Sequence, residues 1–373
     1  MNPKTLLAVV VSAALWVTAA GTACGQISLY VAGYYGNLDY GSSSVGQFNA
    51  QTGAAISPAL VSGMNYPRNL VVSGNTLYVT NFVDSSTGQG SVGVFDATTG
   101  VPINAGLVPN LYRPAGLALS GNVLFVSFAY SGRIGTYDAA SGAPLNASFI
   151  SGLTLGRPHF ITLAGNRLYV SGNTGTVAVF DATTGAAINA SLVTGLGGAL
   201  GVAVAGNSLF VADPTNGTVG QYDAITGAAI RADFLSGLNY PAGLAVSGNT
   251  LFVANAANGV GVGSIGAFDV TTGVAINPAL VSGVYSPWGI AVASIPEPSS
   301  YCLMMALGAV ALVVRRRGKR SATGEGDLTG PAGGSPAVGR PEKRPSRVQI
   351  RPASFAGCGY SWRVRGPRGR GSA

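Results

Sequence analysis

Five short stretches of this 373-residue chain set a proline among arginines and aromatic rings: NYPRN at 65–69, YRPAG at 112–116, GRPHF at 156–160, NYPAG at 239–243 and YSPWG at 285–289. They supply Tyr66, Arg68, Arg113, Arg157, His159, Tyr240 and Trp288. A guanidinium grips an anionic oxygen pair with two parallel, charge-assisted hydrogen bonds, and large rings offer flat surfaces for stacking. Such a set suits an anionic or carbohydrate ligand. The plain alternative is that prolines and rings pack loops and the arginines are solvated. Asn81, Asp84, Asp213 and Asn255 stand at comparable loop positions farther along the same segments.

Catalytic chemistry has little to work with. His159 is the only histidine, and the stretch 26–294 holds no glutamate, no lysine and no cysteine. No Ser-His-Asp spacing, phosphate loop or zinc motif is present, so no catalytic residue, cofactor or metal is expected. Asp96, Asp138, Asp181, Asp223 and Asp269 recur in FDATTG-type hexapeptides. They read as turn residues spread around the fold. A metal would need their oxygens together within roughly 2.6 Å.

The hexapeptides expose the architecture. Their closing glycines are Gly53, Gly100, Gly142, Gly185, Gly227 and Gly273, spaced 47, 42, 43, 42 and 46 residues apart. Between them recur G-L-A-V-x-G-N-x-L-F-V and A-I-N-A-S-L-V-S-G, each with variants. A period in the forties marks a repeat architecture. Within one unit, two short apolar strands flank a Gly-Asn turn, an alternating strand such as TVAVFD follows, and a weaker fourth strand completes the set. Four antiparallel strands per unit predict an all-β fold, a six-bladed β-propeller with four-stranded blades. The chain enters at the second strand of one blade and ends on the first strand of that same blade. Ile290–Val292 is therefore expected to pair with Leu29–Val31 and close the ring. Glycine ahead of most first strands fits crowding near the axis. The repeats resemble NHL-like propeller units over about residues 27–292, a resemblance that speaks to fold rather than function. Two enzyme groups share this architecture, gluconolactonase-like hydrolases with a carboxylate-rich central metal and streptogramin lyases with pocket His and Glu. Neither set has counterparts here.

The termini are of another kind. Residues 1–25 read as a signal peptide, with one lysine, an apolar stretch from about Leu6 and then small residues. Cys24 raises a lipoprotein alternative, against which Gly21 occupies the place where such signals carry leucine. Residues 26–294 form the propeller and carry a balance of −3. The formal charge of the whole chain is +8, because its basicity lies from Arg315 onward, with fourteen Lys/Arg against three acids. The body is thus no nucleic-acid binder. Residues 295–317 begin with Pro296-Glu297-Pro298 and continue through an uncharged apolar run to Arg315–Arg317. Fourteen residues make a helix of about 21 Å, short of the roughly 30 Å membrane core. This order resembles the PEP-CTERM sorting signal. That resemblance implies a C-terminal single membrane helix, recognition of Pro296, Glu297 and Pro298 by an exosortase, and transient residence in the inner membrane before release to the cell surface. Such signals usually end a chain. Here residues 318–373 follow, rich in Gly, Pro and Arg, and expected to be disordered. They read either as a basic tail facing anionic lipid or nucleic acid, or as an out-of-frame artefact.

Together these features predict an exported, exosortase-sorted surface or matrix propeller with a binding or structural role toward polysaccharide or a matrix protein. The competing reading is a lyase or lactonase using the axial pocket.

Overall fold

The computed structural model describes residues 27–34, 43–83, 89–257 and 261–294. The expected signal peptide, Asp84, the sorting segment and the tail lie outside the described residues. The described part is all-β, with 24 strands arranged as six four-stranded antiparallel blades. Blades 2 to 6 span 67–111, 114–150, 158–193, 202–235 and 241–285. Blade 1 joins residues 27–64 to an inner strand from the other end of the domain, Ile290–Ser294. That strand pairs antiparallel with Ile27–Tyr34, placing Leu29 opposite Val292 and Val31 opposite Ile290.

The second strand of each blade is buried on both faces, as in TLYVTN and VLFVSF. This explains why it reads as an unbroken apolar run. Fourth strands begin exposed and become buried only at their far end. The core consists of layers between blades. Val92, Val94 and Leu107 of blade 2 meet Leu117, Leu124 and Val126 of blade 3, and Ile134 and Phe125 of blade 3 meet Leu168 and Val170 of blade 4.

The repeated hexapeptide is a hydrogen-bonded turn. Asp181 Oδ1 accepts from the Thr183 amide (2.9 Å), the Thr184 amide (2.8 Å) and the Thr184 hydroxyl (3.0 Å). Its Oδ2 accepts from Asn166 Nδ2 at 2.6 Å, tying the turn to the Gly-Asn hairpin of the same blade. Asp96, Asp138, Asp223 and Asp269 repeat the pattern with Asn75, Asn122, Asn207 and Asn249. The closing glycine has a second role. A Cβ at Gly100 would lie 1.9 Å from the Leu60 carbonyl oxygen of the preceding blade, and one at Gly53 would lie 1.8 Å from that of Leu280.

Near the axis the inner strands crowd again. A Cβ on Gly243 would sit 2.2 Å from the Trp288 carbonyl oxygen, and one on Gly201 would sit 2.2 Å from that of Ala242. Replacing Gly243 by alanine should lower unfolding stability by about 1–3 kcal/mol, since backbone must move. Gly106→Ala, with nothing within 4 Å, should stay within about 0.5 kcal/mol. Urea denaturation of both variants decides it, and equal effects would remove the crowding argument.

The turn aspartates make stability pH-dependent. In Asp138, Asp181, Asp223 and Asp269 the carboxyl is held below its ordinary value, chiefly by the amide and then the hydroxyl three residues on. In Asp96 burial opposes ionisation, but hydrogen bonds from Thr99, Thr98 and Asn75 outweigh it. Folded carboxyls therefore hold protons less tightly than unfolded ones. Their stabilisation is complete above the unfolded value, about 3.9, and is lost as pH falls through the lower folded values. Denaturation midpoints should drop across that acid window, with a shallower drop in Asp181→Asn. An unchanged slope in that variant would refute the assignment.

Candidate functional site

Five of the six inner strands are reached through a proline, and the second position, the residue after it, forms with Leu200 of blade 5 a ring around one mouth of the axis: Arg68, Ala115, His159, Leu200, Ala242 and Trp288. Ala115, Leu200 and Ala242 are buried. The mouth is therefore lopsided, with Arg68, His159 and Trp288 as the large members. Blade 5 departs from the sequence pattern, carrying Ala199-Leu200 where the others have proline and its neighbour.

The loops leading into these strands are strained. Tyr66, Arg113, Tyr240 and Ser286 all precede proline and all adopt left-handed backbone, at φ 53°, 51°, 57° and 43°. This region costs an L-residue about 1–2 kcal/mol, and strain of this kind gathers at functional loops. Hydrogen bonds hold it in place. The carbonyls of Tyr66, Arg113 and Tyr240 accept from the amides of Phe82 (3.1 Å), Ala129 (3.2 Å) and Ala256 (2.9 Å).

The sequence-derived residues divide between two adjoining cavities that share Arg68. One, of about 540 Å³, is lined by Tyr66, Arg68 and Arg113 with Asn65, Phe82, Val83 and Tyr130. The other, of about 300 Å³, holds Arg68, Arg157, His159, Tyr240 and Trp288, with Asn173 and Thr215 on its far wall. An alternating stack joins them. The Arg68 guanidinium lies 4.4 Å from the Trp288 ring centre and 4.2 Å from that of Phe82. Arg113 lies 5.3 Å from Phe82 and 4.6 Å from Tyr130, and Arg157 lies 4.2 Å from Tyr130. Tyr240 meets Trp288 edge-on at 6.1 Å. Cation–π stacking occupies the face of a guanidinium and leaves its in-plane N–H groups for an anion.

Phe82 and Tyr130, the two rings that space the arginines, were not among the residues the sequence singled out. They follow second strands, where the repeats diverge, and only their ring character at matching offsets could have marked them. Among the loop residues named together with Asp84, both Asp213 and Asn81 bond neighbouring backbone. Asp213 is buried and accepts from the amides of Gly197 (2.8 Å), Thr215 (3.1 Å) and Asn216 (3.2 Å). Asn81 accepts from the Asn65 amide at 3.3 Å. Asn255 is buried at the end of its strand. Among the described residues no group of three His, Cys, Asp or Glu is placed to hold a metal.

Each turn aspartate is bonded to the Gly-Asn hairpin at the far end of an inner strand, so the five carboxylates lie on the face opposite the arginine stack, where Arg167 stands opposite Asp181. No carboxylate is among the described residues lining the two cavities.

Residues 294–317 match the PEP-CTERM protein-sorting motif. The chain carries a PEP-CTERM sorting signal. That motif implies exosortase-mediated sorting and export through the membrane to the cell surface. Residues 156–233, blade 4 and most of blade 5, match the family described as outer membrane protein assembly factor BamB. The repeats are thus similar to BamB-type propeller units as well as to the NHL-like units read from sequence. No curated protein matches the chain. Among solved structures, a nidogen/laminin complex is 15% identical with a TM-score of 0.58, covering 73% of this chain and 99% of that one. A 6-phosphogluconolactonase homologue from Bacteroides fragilis is 16% identical with a TM-score of 0.54, covering 73% and 99%. Both likenesses concern the fold.

His159 reports on the electrostatics of the mouth. Burial first, then the charges of Arg68 and Arg157, pull its pKa from 6.5 down to about 3. It is neutral in the folded state, and the stability this confers is present above the unfolded value and lost as pH falls toward the folded one. As the chain's only histidine, its ring protons give an isolated NMR signal. That signal should not titrate between about pH 5 and 8, and Arg157→Gln should raise its midpoint. A wild-type midpoint near the ordinary histidine value would contradict the geometry.

Proposed function

We propose that this exported propeller is a surface or matrix binding protein that holds polysaccharide on its arginine-rich mouth. The observation carrying the proposal is the alternation Trp288–Arg68–Phe82–Arg113–Tyr130–Arg157. Rings interleaved with guanidinium groups offer stacking faces for sugars and charge-assisted donors for acidic substituents at one surface. The strained loops that present Tyr66, Arg113 and Tyr240 support the same reading. Exosortase would be the processing partner at Pro296-Glu297-Pro298, with the inner membrane a station in transit. A pocket enzyme of lactonase or lyase type is the competing proposal, favoured only by the cavity's position on the axis.

Binding of the full-length chain to an array of bacterial and plant polysaccharides tests this. The wild-type should retain acidic glycans. Arg68→Ala and Trp288→Ala should each weaken retention by about tenfold or more, as central interface residues do. Retention that survives both substitutions removes the mouth from the proposal. Turnover of lactones or glycans by the wild-type would favour the enzyme.

A further inference from the structure

A third cavity adjoins the two at the mouth and has a different chemistry. Its volume is about 280 Å³, and its wall carries the carboxamides of Asn65, Asn81, Gln89 and Asn110 with the Ser91 hydroxyl. Asn65 also lines the 540 Å³ cavity, which in turn shares Arg68 with the 300 Å³ cavity. The three therefore follow one another across the mouth, from the outer ends of blades 1 and 2 toward the loops of blades 4 to 6. Asn110 stands in left-handed backbone at φ 56°, a conformation asparagine tolerates better than most residues. Carboxamides both donate and accept, as the hydroxyls of a neutral sugar require. The cleft thus complements neutral sugar, while the arginine stack complements charge.

We propose that the three cavities form one track for an extended acidic oligosaccharide several sugars long, with carboxylate-bearing units over the arginines and hydroxyl-rich units in the carboxamide cleft. The inference rests on the mouth being the glycan site and adds the length and polarity of its ligand. A compact ligand would need one enclosed pocket. Three adjoining clefts of about 540, 300 and 280 Å³ fit a chain laid across them. The absence of any carboxylate among the described residues lining the two arginine-bearing cavities supports an anionic polymer, since no described acid there repels it.

Calorimetric titration of the full-length chain with galacturonate dimer, tetramer and hexamer tests the track, with glucose oligomers of equal length as the neutral arm. Affinity should rise with each lengthening of the acidic series. The double variant Ser91→Ala/Asn110→Gly, which removes polar groups lining the carboxamide cleft alone and keeps the backbone at 110 unstrained, should weaken the hexamer about tenfold and leave the dimer unchanged. Arg113→Gln should weaken both. An affinity that levels off at the dimer, or a hexamer indifferent to the double variant, overturns the track while leaving the mouth as the glycan site. Neutral oligomers binding as tightly as acidic ones overturn the ligand class. Absence of binding at every length in both series overturns the mouth and the track together.

Discussion

The ring depends on the seam between neighbouring inner strands, where at four of the six junctions the carbonyl at the second position of one blade accepts from a donor of the blade before it. Two solutions are used. In blades 2, 3 and 4 a hydroxyl on the second strand relays the bond. Thr80 accepts from the Asn69 amide and donates to the Ala115 carbonyl, both at 2.9 Å. Ser127 accepts from the Gly116 amide at 2.8 Å and donates to the His159 carbonyl at 2.9 Å. Ser171 links Phe160 to Leu200 in the same way. In blade 5 the hydroxyl position is Ala212, and the Gly201 amide donates straight to the Ala242 carbonyl at 2.6 Å. Wherever the second strand offers alanine, at Ala32, Ala212 and Ala254, the partner is glycine, at Gly289, Gly201 and Gly243. The relay accommodates Asn69 and Phe160 in blades 2 and 4, but in blade 3 a Cβ on Gly116 would lie 2.5 Å from the His159 carbonyl oxygen, as crowded as at the direct contacts.

A bulge makes these bonds available. The pairing register shifts between Pro67 and Leu70, Pro114 and Leu117, Pro158 and Ile161, and Pro241 and Leu244. Each shift takes an amide and a carbonyl out of the blade's own ladder. In blades 2, 3 and 4 the amide bonds the hydroxyl of its own second strand, and in blades 3, 4 and 6 the carbonyl accepts from the blade before it. The same irregularity positions Arg68 and His159, so the device that joins the blades also sets the second-position side chains at the mouth. Binding surface and ring seam are one construction. This explains why the proline motifs carry both the left-handed turns and the arginines.

Much of the fold was legible because the repeat obeys strict local rules. The Gly-Asn hairpins, the Asp-x-Thr-Thr-Gly turns and the apolar second strands each follow from one or two residue types, and each recurs. The pairing of Asp181 with Asn166 was not legible, although both residues stood out, because nothing in sequence says that a turn and a hairpin 15 residues apart share an end of the blade. The buried tyrosine hydroxyls escaped notice for the same reason. Tyr30 and Tyr169 read as ordinary strand residues, yet each donates to a carbonyl of the next blade, at Ala97 (2.9 Å) and Ala224 (2.8 Å). Of the candidate site, the members on repeated motifs were visible. Phe82, Tyr130, Gln89 and Asn110 lie where the repeats diverge, and only three-dimensional proximity makes them a set with the rest.

The pairing of Ile27 with Ser294 in blade 1 carries a consequence for the order of events in a growing chain. Five blades can assemble from segments made in succession, each drawing on neighbours within about 45 residues. The blade that contains the earliest strand must wait for the latest, so its contacts span the whole domain and weigh most heavily on the folding rate. Until residue 294 has emerged, the second strand of that blade presents an unsatisfied edge. A polypeptide that must cross a membrane before it folds gains from such a delay. Its final inner strand ends where the sorting motif starts, at residue 294, so completion of the barrel-like seam and appearance of the sorting peptide are nearly one moment in synthesis.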